Sequence, residues 1–342
     1  AFRAAPARFR LQAQTPPPAP PPPADPLKVD IYSRHLQWLR SADEVADAAL
    51  EMGYDGVNVT VRPYPGHVDP DKVAAELPPF VNTLRTRGLL VRSITTNVAD
   101  ADSTAERIVA TASSLGITHY WWGTYRYDLN KPIYEQLEAL KPRVAKIAAL
   151  SEKHRMTAAY HTYSMPGTVG SAMWDLLTLL RQHDPKFVGF HYDTGHESHH
   201  INGMWELNLR AAGPYIAALA VKDYAPEQND GAPSGGGRGG RGRGGADAPG
   251  AASFPNRWRT RPVPLGTGLV NLPQTAAALK AIQFAGPIEI QAEYPNGGAD
   301  NAQDSITLPR AQVLGAMKRD VQTLRSGFAS SGAKARAERP AG

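Results

Sequence analysis

Four acidic and imidazole side chains follow apolar segments of this sequence in a pattern that suits ion binding or proton transfer. His161 and Asp193 each directly follow a short apolar run, Glu293 follows another, and His196 comes three residues after Asp193. Carboxylate oxygens and imidazole nitrogens together suit a divalent ion such as Mn, Co, Zn or Mg, and the spacing does not choose among them. We predict that Asp193, His196, Glu293 and His161 form a mixed oxygen and nitrogen metal site.

A second group of polar and aromatic residues occupies comparable positions. Aromatic rings stack on the C–H faces of a sugar, while amides and charged groups bind its hydroxyl groups. The combination favours a polyhydroxylated ligand, although an ordinary turn or surface role stays equally open for Asn58. The predicted substrate-binding residues are Arg34, His35, Asn58, Trp122 and Tyr294.

The segment from His196 to His200 matches the H-E-x-x-H motif of zinc proteases. That motif requires a helix, because only then do its two histidines share a face. Here it follows an apolar strand and an Asp-Thr-Gly turn, and Asn202-Gly203 ends it. We therefore expect a loop rather than a protease helix.

Eight short β-branched or aromatic segments, each followed by a longer amphipathic one, predict eight strand–helix units. A glycine ends several of the predicted helices, as expected for the left-handed residue that closes a helix. The predicted strands are 28–32, 56–61, 89–95, 117–122, 156–161, 187–192, 216–221 and 287–291, and the predicted helices are 42–52, 71–87, 104–115, 133–154, 170–183, 204–212, 272–284 and 311–325.

This alternation predicts an α/β fold, a (β/α)8 TIM barrel, because alternating units with short connections give parallel strands joined by right-handed crossovers. Eight units over about 300 residues fit a closed barrel better than an open sheet of five or six strands. Active sites of such barrels lie at the carboxyl ends of the strands. Most of the candidate residues above end or follow predicted strands, and Asn58 lies within one, so the fold would bring them to one rim.

Composition narrows the function classes. The 342 residues include no cysteine, which excludes disulfides, Cys-ligated zinc and a thiol nucleophile. The net charge is +5, but residues 1–24, 230–250 and 328–342 carry +3, +1 and +2, which leaves −1 for the remainder. A basic nucleic-acid-binding face is therefore not expected, and no apolar run is long enough to span a membrane. The expected partner is a small carbohydrate substrate, and the sequence leaves open whether the protein forms a homo-oligomer.

The chain divides into a Pro-rich disordered leader at 1–26, a barrel at 27–327 with an insertion at 225–262, and a disordered tail at 328–342. A Pro-rich spacer at the start of a chain without Met suits a periplasmic or secreted protein, with the cytoplasm as the alternative. The insertion contains the run Gly235–Gly245, which matches G-x-G-x-x-G and resembles an RGG segment. No strand leads into it and no aromatic residues interleave it, so a flexible surface loop is expected.

Five segments resemble motifs of one known superfamily. Asp193–His196 is similar to its D-x-G-H turn, Val221–Asp223 to the end of its H-x-K-D motif, and Gly266–Leu272 to its G-x-G lead into the last helix. Ile290–Tyr294 resembles its last strand, which ends in a ligand glutamate, and Tyr160–Tyr163 resembles the Y-H-N-H of one branch. Their order and spacing identify the chain as similar to the xylose isomerase-like TIM barrel superfamily. The matching branches are the sugar phosphate isomerase/epimerase family and its inosose dehydratase-like members.

The resemblance implies a divalent metal held by Glu, Asp, His and Glu, which acidifies a C–H bond beside a sugar carbonyl. Asp193 and Glu293 match two of those ligands. The sequence departs from the pattern twice, with His161 in place of the first glutamate and Ala220 in place of the histidine. Endonuclease IV, another member, fits poorly because it needs more metal ligands and a basic surface.

The resemblance leads to three hypotheses. The first is a sugar or keto-sugar isomerase or epimerase that works through a metal-stabilised enolate or enediolate. In it Asp193 and Glu293 would bind the metal, with Glu293 also counted among the catalytic residues. Lys222 would stabilise the enolate oxygen or His161 would act as the base, and the substrate-binding residues would hold the sugar. The second is a lyase or hydratase acting on 3-keto-glycosides. The third is a carbohydrate-binding barrel without catalytic activity, which the two missing ligands favour.

Overall fold

The computed structural model describes residues 27–200, 203–228 and 258–337. The predicted leader at 1–26, the Gly/Arg-rich run and residues 338–342 lie outside the described residues. The barrel strands are β1 (Asp30–Tyr32), β2 (Gly56–Thr60), β3 (Ser93–Thr95), β4 (His119–Trp122), β5 (Thr157–His161), β6 (Val188–Asp193), β7 (Ile216–Val221) and β10 (Ile288–Ile290). These eight parallel strands close into a barrel in the order β1-β10-β7-β6-β5-β4-β3-β2, which confirms the predicted (β/α)8 fold.

The helices form a layer around this barrel. They are α1 (Ala42–Met52), α2 (Val73–Thr86), α3 (Ser103–Ser114), α4 (Ile133–His154), α5 (Trp174–Leu180), α6 (Thr194–His200), α7 (Trp205–Ala212), α8 (Leu272–Ala281) and α9 (Arg310–Ala337). Buried aliphatic and aromatic side chains fill the space between the two layers. None of the helices within the described residues is long and apolar enough to cross a membrane.

Local signals in the sequence set the helix ends. Ser41 begins α1 with a capping box, in which its hydroxyl accepts the Glu44 N–H and the Glu44 carboxylate accepts the Ser41 N–H. Gly53 ends the same helix at φ 85°, a conformation that glycine adopts without a Cβ clash. These ends fix where β2 starts and hence which residues reach its carboxyl end.

Three elements differ from the expectations. The segment after Asp193 is a short helix, α6, and not a loop, because the Asp193 carboxylate accepts the His196 N–H and so caps the helix start. The insertion contributes an antiparallel hairpin, β8 (Asp223–Gln228) with β9 (Trp258–Val263). The last helix continues to Ala337, ten residues beyond the predicted end of the barrel at 327.

Asp223 fixes the loop that leads into α8. Its carboxylate accepts N–H groups from Tyr224 at 2.9 Å, Gly266 at 3.1 Å, Gly268 at 2.9 Å and Val270 at 3.0 Å. Four N–H groups of irregular backbone are thereby satisfied in the interior, where an unpaired one would be costly. The aspartate of the Lys222-Asp223 pair is therefore part of the framework that positions the rim.

Candidate functional site

Four charged or imidazole side chains meet at the carboxyl ends of β5, β6, β7 and β10. His161 and Asp193 are the last residues of β5 and β6, Lys222 directly follows β7, and Glu293 lies three residues beyond β10. These four strands are consecutive neighbours around the barrel, so residues far apart in the sequence reach one rim. We call His161, Asp193, Lys222 and Glu293 the rim cluster.

Lys222 lies at the centre of the rim cluster. Its Nζ is 3.0 Å from Asp193 Oδ2 and 3.1 Å from Glu293 Oε2, and it donates to Gln291 Oε1 at 3.2 Å. Burial alone would lower the pKa of this ammonium, but the two carboxylates beside it raise the pKa well above its ordinary value. The lysine is therefore charged at any physiological pH.

The two carboxylates are ionised as well. Burial would raise the pKa of Asp193, but Lys222, followed by His196, holds that pKa far below its usual range. Burial also acts to raise the pKa of Glu293, and the charge of Lys222 outweighs it and lowers the pKa to about 2. Glu293 is the most open member of the rim cluster, with 27% of its side chain exposed, against 3% for Lys222 and 0% for Asp193.

His161 is a buried, uncharged imidazole. Its Nε2 lies 3.1 Å from Asp193 Oδ2, and Trp121 stacks on the ring with centroids 4.2 Å apart and planes 17° apart. Burial lowers the pKa of His161, and the favourable contact with Asp193 does not offset this. A neutral imidazole beside a carboxylate can accept or relay a proton.

His196 borders the rim cluster from α6. Its Nδ1 is 2.8 Å from Ser164 Oγ, and its ring centroid is 5.9 Å from that of His161. Burial, with a contribution from Lys222, lowers the pKa of His196 to about 3, so the ring is neutral at physiological pH.

Two of the predicted substrate-binding residues lie near this rim. Arg34 donates from Nη1 to the Asp300 carbonyl at 3.0 Å, and its charge contributes to lowering the pKa of Glu293. His35 is buried, donates from Nδ1 to the Ala299 carbonyl at 3.2 Å, and leaves Nε2 without a hydrogen bond. Burial lowers the pKa of His35 to about 3, so it is a neutral group.

The structure does not bring the other three to the rim. Trp122 is fully buried in the outer core, where Tyr125 and Tyr160 pack on it edge to face. The Tyr294 hydroxyl donates to Asp320 of α9 at 2.7 Å, on the helix side of the barrel. Asn58 lies deeper in the barrel, where it contacts Glu289 and accepts a hydrogen bond from Thr95.

Four residues near the rim cluster were not predicted. Trp121 stacks on His161, Gln291 accepts from Lys222, and the Tyr224 hydroxyl donates to Glu293 at 3.2 Å. Arg62 donates to the Tyr32 hydroxyl at 2.9 Å, beside the Trp121 ring. For Gln291 a signal was available, since it shares strand parity with Glu293. Trp121 lies on a strand without a rim-cluster residue, and Tyr224 and Arg62 lie outside the barrel strands, so these three carry no such signal.

The donor set does not fit a divalent ion in this arrangement. The point between Asp193 and Glu293 is taken by the Lys222 ammonium, and a metal ion bound to the same oxygens would need that volume. Within the described ranges no three His, Asp or Glu side chains gather in a geometry that could hold a metal. The predicted ligands Asp193, Glu293 and His161 do come together, but around a lysine.

Comparison with known proteins places this barrel in a family. The family described as xylose isomerase-like TIM barrel matches residues 46–312, more than half of the chain. The chain belongs to the xylose isomerase-like TIM barrel family. No curated protein sequence matches it.

Solved structures of this fold include sugar epimerases. D-psicose 3-epimerase from Clostridium cellulolyticum, with D-tagatose, is 12% identical at a TM-score of 0.60, covering 88% of this chain and 99% of that one. The 3-keto-D-glucoside 4-epimerase from E. coli is 12% identical at 0.59, with the same coverage. A protein named IolI, solved with a zinc atom, is 13% identical at 0.60, covering 90% and 99%. At these identities the likeness establishes the shared fold.

Proposed function

We propose that this xylose isomerase-like barrel is a sugar or keto-sugar isomerase or epimerase that works through an enolate or enediolate. The rim cluster carries the proposal, because it sets an ionised carboxylate, a fixed positive charge and a neutral imidazole at one barrel rim. The sugar epimerases among the structural neighbours support this class of reaction.

Proton removal beside a carbonyl requires a base and a stabiliser for the developing oxyanion. Glu293 is the base in this proposal, since it is ionised and is the rim-cluster member most open to the barrel mouth. Because its pKa is low, it removes a proton efficiently only when substrate binding separates it from Lys222. A bound sugar oxygen that competes for the ammonium would do this.

Lys222 supplies the positive charge. It already donates to Glu293 and Gln291 and forms an ion pair with Asp193. It therefore acts on an oxyanion either through its field in a buried, low-dielectric site or by exchanging its contact with Glu293 for the substrate oxygen. In this proposal His161, which is neutral and contacts Asp193, relays a proton to or from the second carbon.

Product analysis tests the proposal. The protein would be incubated with ketopentoses, ketohexoses and 3-keto-glucosides, with Mn²⁺ and with EDTA in parallel, and the products separated and assigned by NMR. We expect an isomerised or epimerised sugar from wild type and a strongly reduced yield from Glu293→Gln. Release of an aglycone from a 3-keto-glycoside would instead support a lyase, which shares the enolate. Sugar binding by calorimetry without any product would support a binding barrel and overturn the proposal.

A further inference from the structure

Three side-chain oxygens surround the Lys222 ammonium, two as hydrogen-bond acceptors and the third as an ion-pair partner. Asp193 Oδ2, Glu293 Oε2 and Gln291 Oε1 lie 3.0, 3.1 and 3.2 Å from Nζ. Gln291 is itself oriented, because its Nε2 donates to Glu289 Oε1 at 2.7 Å and so turns its carbonyl oxygen towards the lysine. The pocket therefore gives the ammonium two hydrogen bonds and an ion pair with each of two carboxylates.

We propose that Lys222 is the resident cation of this site and that no divalent metal is bound between Asp193 and Glu293. The ammonium occupies the place that a metal ion would take and supplies one positive charge to the two carboxylates. This proposal deepens the proposed function and rests on it for the activity measurement. The measurement of metal binding does not depend on any reaction.

The charge of the pocket supports a resident cation. Asp193 and Glu293 are ionised groups in a largely buried place, and two such charges without a partner would be expensive. Lys222 is 3% exposed and lies in contact with both. Removing Lys222 would leave two carboxylates without a compensating charge, so the lysine stabilises the folded structure of the rim.

The geometry disfavours a metal at the same point. A divalent metal lies about 2.0–2.6 Å from oxygen ligands, closer than the two contacts of Nζ, and Lys222 would have to leave before an ion could enter. Side chains on β7 alternate between the interior and the helix layer, so Ala220 shares the interior side with Lys222. Ala220 lies in register with Asp193, and its side chain has no atom that could bind a metal ion. The ammonium of Lys222 is therefore the group from this side of the barrel that reaches the two carboxylates.

Metal content of the untagged protein tests the proposal. The protein would be produced in medium supplemented with Mn, Co and Zn, dialysed, and analysed by mass spectrometry for metals, with thermal unfolding measured with and without EDTA. We expect fewer than about 0.1 ions per chain and an unchanged Tm, since no ligand set awaits an ion. About one ion per chain, absent from Asp193→Asn, would overturn the proposal.

A gain of metal binding in a variant provides the second arm. Lys222→Ala removes the ammonium and leaves Asp193 and Glu293 facing each other, so we expect a lower Tm that Mn²⁺ partly restores. Lys222→Ala combined with Asp193→Asn should lose this response, and the exposed Lys280→Ala should behave as wild type. A Tm rise of wild type with Mn²⁺ as large as that of Lys222→Ala would contradict the proposal. If Lys222→Ala does not fold, the wild-type metal content still decides.

Activity separates this inference from the proposed function. Turnover that is unaffected by EDTA supports both. Turnover that requires Mn²⁺ keeps the isomerase or epimerase function and overturns the resident lysine. A metal-free protein without turnover under either condition overturns the function and leaves the lysine in place.

Discussion

Trp121 lies face to face with His161, with ring centroids 4.2 Å apart and planes inclined by 17°. The stack fixes the plane of the imidazole, so its Nε2 stays 3.1 Å from Asp193 Oδ2. The next residue, Trp122, faces the opposite side of the same strand and packs in the outer core. Two adjacent tryptophans therefore serve the site and the core separately, as expected for alternating side chains.

This pair provides a matched test. We expect Trp121→Leu to lower kcat by about tenfold or more, because a loosened imidazole loses its alignment, with a smaller loss of stability. Trp122→Leu should instead lower the free energy of unfolding by about 3 kcal/mol and change kcat little once folded. Steady-state kinetics and urea unfolding measure the two effects. A larger kcat loss in Trp122→Leu than in Trp121→Leu would contradict the assignment.

We expect Arg34, one of the predicted substrate-binding residues, and Arg62, which the structure adds, to hold the substrate. Burial raises the pKa of the Tyr32 phenol, and the positive charges of Arg62 and Arg34 partly offset this rise. The ring centroids of Tyr32 and Trp121 are 5.6 Å apart. We expect Arg34→Met and Arg62→Met each to raise KM about tenfold with little change in kcat, since a lost binding contact costs about 1.4 kcal/mol. The exposed Arg107→Met serves as the control. A fall in kcat at unchanged KM would instead place the arginine in the chemical step.

Stability is expected to fall in acid through His67. Burial lowers the pKa of His67 to about 4, and the ring contacts Gln37 Nε2 at 2.8 Å and the Leu39 carbonyl at 3.0 Å. The unfolded chain takes up a proton near pH 6.5 while the folded one does not, so acid favours unfolding between these values. This residue should lower the free energy of unfolding by about 2 kcal/mol between pH 7 and pH 5.

Urea unfolding at pH 7, 6 and 5 measures this dependence. His67→Gln lacks the titrating ring and should lose less stability over the same range. Burial also lowers the pKa of His35, so His35 lowers the free energy of unfolding in acid in both wild type and His67→Gln. Equal pH dependence in wild type and His67→Gln would contradict the prediction.

Asp223→Asn tests the framework of the rim. The aspartate accepts hydrogen bonds from four backbone N–H groups, two at each carboxylate oxygen. In Asp223→Asn an amide nitrogen, which is a donor, replaces one of these oxygens, so two backbone N–H groups lose their acceptor. We expect a loss of about 2–4 kcal/mol in the free energy of unfolding, since buried donors are left unpaired. The exposed Asp304→Asn should be neutral. A stability change within about 0.5 kcal/mol for Asp223→Asn would contradict this role.

The order of elements could be predicted because strands and helices alternate with clear ends. The side of the barrel that each residue faces could not, since strands buried on both faces lack a polar and apolar alternation. The sequence therefore predicts Trp122 at the rim, where the structure has Trp121, and it predicts Tyr294 there although the Tyr294 hydroxyl binds Asp320. The position of Lys222 between two carboxylates depends on three strands meeting, which no single segment of sequence encodes.

The central claim is that Glu293, beside the Lys222 ammonium, removes a proton next to a sugar carbonyl. Hydrogen exchange measures this step directly: a substrate from the product screen is incubated in D2O, and loss of its carbon-bound proton is followed by ¹H NMR. We expect exchange with wild type and with Lys280→Ala, and exchange that is about 100-fold or more slower with Glu293→Gln. Product formed without solvent deuterium, or exchange at an unchanged rate in Glu293→Gln, would contradict it.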